Sequence, residues 1–258
     1  MLPAPLTLGP LSLNFYGLLV TCGALAALAL FSFTAPRRAM SPAAARDFCF
    51  WMILAGLLGS RLFYVIFHWP EFSGHPLAIL AYWRGGLMFQ GGVLTALAVS
   101  PLFLKRYGLS FWPAADVMAP SLALGQALGR LGCFTAGCCY GRPAGPANPL
   151  GVTFPPGSLA PFGIPLWPTQ LLESAGLLAL ALILGLSLGR SQSAFSRPGR
   201  VAALYLAGAG LLRLLMESLR GDYRGDPVIW HLPPTTLAAA LAAILGLGLI
   251  WSRRPIKI

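Results

Sequence analysis

Charged residues are scarce in this sequence, and acidic residues are the scarcest of them. The 258 residues include 18 Lys and Arg, 7 Asp and Glu and 3 His, so that 10% of the chain is charged. A typical soluble domain has about 25% charged residues. With 57% apolar residues and a mean hydropathy of +0.72, the chain could not cover its surface with polar groups in water. These values exclude a soluble globular fold.

Charge is missing altogether from two long stretches. No charged side chain precedes Arg37, and none occurs in residues 235–252. Each stretch reaches the roughly 18 to 20 apolar residues that cross a bilayer. The first also lacks the basic segment that begins a signal peptide, which predicts an uncleaved first span with its N-terminus outside. The sequence therefore predicts a polytopic membrane protein.

Apolar runs along the chain predict seven transmembrane helices. They cover about residues 13–35, 48–67, 87–104, 112–131, 170–188, 201–219 and 234–251. The stretch between the fourth and fifth helices, residues 132–167, is rich in Gly and Pro and is predicted to be an irregular periplasmic or re-entrant segment. We therefore predict an all-α fold in which residues 1–258 form a single membrane domain.

The positions of Lys and Arg predict the orientation of these helices. A net charge of +11 would suggest nucleic acid in a soluble chain, but basic residues in a membrane protein concentrate in short cytoplasmic segments. Eleven of the 18 lie in four short segments on one side: Arg37, Arg38 and Arg46; Lys105 and Arg106; Arg190, Arg197 and Arg200; Arg253, Arg254 and Lys257. We predict a cytoplasmic C-terminus and expect no nucleic-acid partner.

The other seven basic residues are all arginines in a predicted span or on the outer side: Arg61, Arg84, Arg130, Arg142, Arg213, Arg220 and Arg224. Inserting a charge into a bilayer costs at least about 2.5 to 3.5 kcal/mol, so those within spans should face a polar interior. Carboxylates such as Asp116, Glu173 and Glu217 could pair with them as structural contacts. Because the arginines outnumber the nearby acids, and because guanidinium matches phosphate oxygens, we favour an anionic phospholipid headgroup as the ligand.

Spacing places part of this cluster on one helix face. Arg213, Glu217 and Arg220 stand at i, i+4 and i+7 of the sixth predicted span, which predicts a common face that opens outward. The pairs Gly85-Gly86 and Gly91-Gly92 flank Gln90 at the start of the third span. Small residues often serve helix packing, but beside Gln90 we favour an approach of the backbone to the headgroup.

Three of the five cysteines, Cys133, Cys138 and Cys139, lie in or beside the predicted outer segment. No histidine is near them, and adjacent cysteines suit tetrahedral coordination poorly, so the spacing predicts no metal site. A disulfide could form in an oxidising compartment, and packing within a Gly-rich loop is the interpretation we favour. The sequence predicts no cofactor.

Several of these motifs resemble the signature of the prolipoprotein diacylglyceryl transferase family. The similarity spans roughly residues 15–250 and is carried by five motifs. They are Gly59-Ser-Arg61, Ala115-Asp116-Val-Met-Ala-Pro120, Gly129-Arg130-Leu-Gly-Cys-Phe134 with Gly141-Arg142, Pro168-Thr-Gln170-Leu-Leu-Glu173, and Arg213-x-x-x-Glu217-x-x-Arg220.

The resemblance implies a function at the bacterial inner membrane. Enzymes of this family transfer the diacylglyceryl group of phosphatidylglycerol to the lipobox cysteine thiol of secreted prolipoproteins, and glycerol phosphate is released. By similarity, Arg130 and Arg213 hold the phosphate and Glu217 orients them, which makes these three the predicted catalytic residues. The resemblance also implies substrate-binding roles for Arg61, Arg142 and Glu173, and the glycine pairs and helix spacing described above add Gln90 and Arg220.

The chain also departs from the family pattern at polar positions. The family usually has His at the position of Gln90, and glutamine cannot take a proton from a thiol. Other polar residues of the family are replaced by Cys133, Ala136, Cys138, Trp167, Leu172 and Ala209. Two alternatives therefore stay open. One is a divergent paralogue that binds an anionic phospholipid with another acceptor or without turnover, and the other is a transporter of an anionic solute.

We expect a reporter fused to the C-terminus to read as cytoplasmic, because the tail carries three basic residues and belongs to the positive side. A fluorescent protein fused there should fold and fluoresce, while alkaline phosphatase should be inactive. As a control, alkaline phosphatase inserted after Asn148 should be active. A periplasmic C-terminus would contradict the predicted orientation.

Overall fold

The computed structural model describes residues 6–8, 11–38, 40–82, 85–189, 197–223 and 232–252. Helices dominate this part of the chain, and seven of them have 18 residues or more. These are α1 (Phe15–Thr34), α2 (Pro42–Phe67), α4 (Phe89–Arg106), α5 (Phe111–Ala136), α6 (Thr169–Gly189), α7 (Arg200–Glu217) and α8 (Pro234–Ser252).

The remaining elements are short. The helix α3 (Trp69–Phe72) and two 3-10 turns, Ala35–Arg38 and Pro76–Leu80, lie between the long helices. Strand β1 (Leu6–Leu8) pairs antiparallel with β2 (Leu11–Leu13), and β3 (Val152–Thr153) pairs antiparallel with β4 (Pro165–Leu166). None of these elements is long enough to cross a bilayer.

Four helices of the described chain are long and apolar enough to cross a membrane. They are Phe15–Arg38, Pro42–Phe67, Thr169–Leu188 and Pro234–Ser252. Large apolar side chains such as Phe33, Leu182 and Ile244 are exposed on them, as expected of surfaces that contact lipid rather than water. The protein is therefore a mostly helical integral membrane protein. Membrane crossing by α4, α5 and α7 stays a prediction.

Small residues bring neighbouring helices close together. A Cβ atom added to Gly210 of α7 would lie 2.7 Å from the Ala239 carbonyl oxygen of α8, and one added to Gly246 would lie 2.7 Å from the Ala203 carbonyl oxygen. These two contacts also show that α7 and α8 run antiparallel. Because the backbones nearly touch, larger side chains at these positions would separate the helices.

The pair Gly91-Gly92 packs against α2. A Cβ atom on Gly92 would lie 2.8 Å from the Gly56 carbonyl oxygen, and one on Gly91 would lie 2.9 Å from that of Gly59. The pair therefore serves helix packing and not the headgroup contact that we inferred from the sequence. The earlier pair has a different role, because Gly85 and Gly86 adopt positive φ angles of 79° and 74° in a loop.

Helix α5 extends beyond the predicted start of the irregular segment at residue 132. Gly132 stays helical and packs on α1, where an added Cβ would lie 3.3 Å from the Tyr16 carbonyl oxygen. The helix ends instead at Gly137, whose φ of 74° is left-handed. From there to α6 the chain contains β3, β4 and a small core of Phe154, Ala160 and Leu166.

Asp116 lies far from the outer arginines with which the sequence grouped it. Its carboxylate is fully buried and accepts hydrogen bonds from the backbone N–H groups of Gly199 at 2.8 Å and Ala202 at 2.9 Å. It therefore caps the first turn of α7, where a negative charge is favourable. Arg38 Nη2 is 3.6 Å away. Fourteen helical residues, or about 21 Å of rise, separate Asp116 from Arg130.

We expect Asp116→Ala to destabilise the fold, because two buried N–H groups and Arg38 would lose their acceptor. A loss of about 2 to 3 kcal/mol should lower the melting temperature in detergent by roughly 4 to 12 °C. Asp47→Ala, which removes an exposed carboxylate, is the matched control and should change it little. Equal melting temperatures for the two variants would show that the cap contributes nothing.

Candidate active site

A cavity of about 470 Å³ lies between α1, α5, α6, α7 and α8. Arg130 of α5, Glu173 of α6 and Arg213 of α7 form the charged part of its wall. The register of α5 against α6 is fixed by Ser174, whose hydroxyl donates to the Ala127 carbonyl oxygen at 2.9 Å. The charged side chains of three different helices thus lie at one level of the bundle.

Glu173 connects the two arginines. Arg130 Nη2 lies 3.0 Å from Glu173 Oε1, and Arg213 Nη1 lies 3.6 Å from Glu173 Oε2. The glutamate is 5% exposed, so this charge is held away from bulk water and depends on its partners. Because both guanidinium groups reach a single carboxylate, Arg130 and Arg213 belong to one site.

Glu217 forms an ion pair with Arg213 but does not line the cavity. Its Oε2 atom lies 3.4 Å from Arg213 Nη2, and its Oε1 atom accepts a hydrogen bond from the Thr236 hydroxyl of α8 at 2.7 Å. The buried Arg213 Nη1 makes no hydrogen bond. Its contact with Glu173 Oε2, at 3.6 Å, is therefore an ion pair that is too long for a hydrogen bond.

The cavity continues from the charged level into apolar surroundings. Val20, Leu177, Leu206 and Ala242 line this deeper part. On α7, seven residues or about 10 Å of rise separate Leu206 from Arg213. A hydrogen bond of 2.8 Å from Gln126 Nε2 to the Tyr205 hydroxyl adds one polar contact there. The cavity thus combines a charged end with an apolar part.

The charges of this cluster balance without a ligand. Arg130 and Arg213 face Glu173 and Glu217, so the positive surplus expected from the sequence is not found among these four side chains. An anion would therefore bind Arg130 and Arg213 only by sharing them with the carboxylates or by displacing the carboxylates.

Arg61 lies in a different part of the molecule. Its guanidinium donates to the carbonyl oxygens of Ala78, Ile79, Gly85 and Gly86 at 2.6 to 3.0 Å. The rings of Tyr64, Phe72 and Tyr82 surround it. Its donors are thus taken by the loop before α4, and it is absent from the cavity wall.

The other predicted substrate-binding residues also lie outside that wall. Arg220 is buried and its Nη2 atom binds Asp222 Oδ2 at 2.6 Å. Arg142 is exposed, while its backbone N–H donates to the Leu219 carbonyl oxygen at 2.7 Å. Gln90 is exposed on the first turn of α4. The Arg142 backbone therefore ties the loop after α5 to the end of α7.

Sequence reasoning missed four polar residues of the cavity wall: Tyr16, Gln126, Tyr205 and Thr235. The first three are isolated polar side chains in apolar stretches, and that isolation is the only signal the sequence gives. Two histidines that could act as bases, His68 and His75, lie elsewhere. His68 stacks on Tyr64 at 4.1 Å between ring centroids, and His75 is exposed. Neither belongs to the cavity wall.

The three clustered thiols border the charged site. The sulfur atoms of Cys133, Cys138 and Cys139 all lie within 4.8 Å of one another, and Cys133 lines the cavity. Hydrogen bonds from the other two thiols lower the pKa of Cys139, and the nearby charges of Arg220 and Arg130 add to this effect. The sequence predicted that these cysteines pack within a loop. The structure adds that their three sulfur atoms lie close to one another.

Comparison with known proteins gives a consistent result. The family model of prolipoprotein diacylglyceryl transferase matches residues 3–252. A protein of Synechococcus elongatus named phosphatidylglycerol–prolipoprotein diacylglyceryl transferase is 34% identical over 96% of this chain and 86% of its own length. Proteins of the same name from Solidesulfovibrio magneticus and Symbiobacterium thermophilum are 35% and 34% identical, and each match covers 98% of this chain and at least 94% of the relative. With this coverage and identity, the chain belongs to the prolipoprotein diacylglyceryl transferase family.

Proposed function

We propose that this protein transfers the diacylglyceryl group of phosphatidylglycerol to a cysteine thiol of a prolipoprotein. The observation that carries the proposal is the pair Arg130 and Arg213, which meet at Glu173 in the wall of a cavity with an apolar interior. Relatives of the chain bear a name that states this donor and this class of acceptor. No feature of the described residues favours the alternatives.

The cavity suits an anionic phospholipid. The phosphate diester carries one negative charge and would bind the guanidinium groups of Arg130 and Arg213, which line the cavity. An acyl chain would extend along Leu177, Leu206 and Ala242. At about 470 Å³ the cavity holds the headgroup and part of one chain, so the rest of the lipid would lie between helices in the bilayer.

The reaction is a displacement at carbon. The acceptor thiolate attacks the glycerol carbon that bears the phosphate, so that a C–S bond forms and the C–O bond to the phosphate breaks. The electron pair of that bond stays on the departing oxygen, which leaves as glycerol phosphate, and the thiol proton goes to solvent. Because negative charge grows on the phosphate, fixed guanidinium groups in a dry site stabilise the transition state more than the bound substrate.

Arginines also explain how the acceptor is activated. No histidine stands among the described residues that line the cavity. A free thiol has a pKa of about 8.5, and nearby positive charge lowers it. In this proposal Arg130 and Arg213 catalyse the reaction, Glu173 and Glu217 position them, and the thiolate forms without a dedicated base.

We place the site near the outer face of the bacterial inner membrane, in a bundle of seven spans with the N-terminus outside. Contacts of the predicted cytoplasmic arginines support this arrangement. Arg37 donates to the Gly185 carbonyl oxygen near the end of α6 at 3.2 Å, and Arg38 reaches Asp116 near the start of α5. These residues gather at the end of the bundle opposite Arg130 and Glu173, so the charged cavity belongs at the outer end.

The direct test uses purified protein in liposomes of phosphatidylglycerol with a lipobox peptide. We expect one glycerol phosphate released for each peptide that gains a thioether-linked diacylglycerol, measured by mass spectrometry. Phosphatidylglycerol that co-purifies and binds without release would support the lipid-binding paralogue. Uptake of a labelled anionic solute without peptide modification would support the transporter. Either outcome would overturn the proposed function.

We expect Arg213→Ala and Arg130→Ala to reduce transfer by about 10² to 10³-fold, because each removes a cation that faces the leaving phosphate. Arg213→Lys should keep an intermediate rate, since it retains the charge but loses the forked donor geometry. Arg46→Ala, at an exposed and distant position, is the control and should keep the wild-type rate. An active Arg213→Ala protein would remove the phosphate site.

We expect Gln90→Ala to lower the rate only modestly, because this side chain is exposed at the start of α4 and lies outside the cavity wall. The wild-type rate should rise with pH as the acceptor thiol ionises, without a separate limb near the histidine pKa of about 6.5. Transfer rates of both proteins from about pH 5.5 to about 9 test this. A clear histidine-like limb would contradict activation by arginine alone.

A further inference from the structure

We propose that Cys133, Cys138 and Cys139 form a binding site for a thiophilic d10 metal ion such as Zn²⁺ or Cu⁺. Each residue offers one sulfur ligand, and the three sulfur atoms lie within 4.8 Å of one another. Ligands at a metal–sulfur distance of about 2.3 Å in tetrahedral geometry are about 3.8 Å apart. To bind one ion, the three sulfur atoms would therefore have to approach one another by about an ångström or less.

The backbone explains how adjacent cysteines can share an ion. Neighbouring side chains on an extended chain point to opposite faces. Two adjacent cysteines on such a chain would therefore be poorly placed to bind the same ion. Cys139 has a φ of 59° and is the only residue other than glycine with a positive φ in the described chain. This left-handed turn breaks the alternation and directs both sulfurs toward Cys133 on the last turn of α5.

Side chains of α6 hold this turn in place. The buried Thr169 hydroxyl donates to the Cys139 carbonyl oxygen at 2.8 Å, and the buried Gln170 amide donates to that of Cys138 at 2.7 Å. The Cys138 N–H donates to the Cys133 carbonyl oxygen at 3.1 Å. The three ligands are thus presented by a backbone that is fixed before any ion binds, as a metal site requires.

The local charges also fit a thiolate–metal complex. Three thiolates carry one net negative charge around Zn²⁺ and two around Cu⁺. Arg130 and Arg220 lie beside the cluster and would offset that charge in a partly buried setting. Soft sulfur ligands select zinc and copper over magnesium or calcium. A bound ion would join the end of α5 to the loop that follows it, which is a structural role.

Titration of reduced, metal-free protein with Cd²⁺ tests the site through ultraviolet thiolate-to-cadmium absorption. We expect saturation at one ion per chain in wild type and in the control Cys22→Ala/Cys49→Ala, which keeps the three ligands. Cys138→Ser should weaken binding at least about tenfold, because one of three ligands is lost. Parallel titrations with Zn²⁺ and Cu⁺ by competition with chelators identify the preferred ion. Equal binding by wild type and Cys138→Ser would overturn the proposal.

Two measurements on wild type need no variant. A 100-fold excess of ion over its Kd should raise the melting temperature by about 5 to 10 °C. It should also protect the three cysteines from N-ethylmaleimide, compared with the metal-free protein, in peptide mass spectrometry. An unchanged melting temperature with unprotected thiols would overturn the proposal. So would a disulfide between Cys133 and either of the other two cysteines in protein isolated from membranes.

Discussion

The rest of the site depends on the carboxylate of Glu173, which two arginines share inside a membrane protein. Removing an ion from water costs several kcal/mol, and only close opposite charges offset that cost. Arg130, Glu173 and Arg213 come from three helices, so their attraction fixes the rotation and depth of α5, α6 and α7 relative to one another. A shift of one helix by a single turn, about 5.4 Å, would leave a charge unpaired. The ion pairs therefore set the register of the bundle at the level where the cavity lies.

The same balance of charge explains how the four charged side chains can be buried together. Two arginines and two glutamates are neutral together, so the cavity needs no ligand to avoid a buried net charge. Arg130 and Arg213 line the cavity and are held in position by these ion pairs. In the proposed reaction, the second negative charge of the phosphate, which develops when the ester bond breaks, would meet guanidinium groups that are already oriented.

Much of the helical fold could be predicted from the sequence, because apolar run length is a one-dimensional property. The predicted span at 170–188 and the observed helix Thr169–Gly189 differ by one residue at each end. It was harder to predict which charged residues pair with each other, since the spacing of residues within one helix does not show which neighbouring helix they contact. Arg213 and Glu217 pair as the i, i+4 spacing indicates. By contrast, Arg61 bonds to loop carbonyl groups and Asp116 caps α7. Both contacts join residues distant in sequence, and no local pattern encodes them.

The loop after α5 adds a second set of constraints on the arginines. The N–H of Arg142 bonds to the Leu219 carbonyl oxygen, and that of Gly221 bonds to the Tyr140 carbonyl oxygen, so the loop is tied to the end of α7 just beyond Arg213. Thr169 and Gln170 tie the same loop to the start of α6, one turn before Glu173. The charged residues are thus held by helix packing on one side and by backbone hydrogen bonds on the other. Electrostatic catalysis needs groups that do not reorganise during the reaction. The restraints on Arg130 and Arg213 meet this requirement of the proposed reaction.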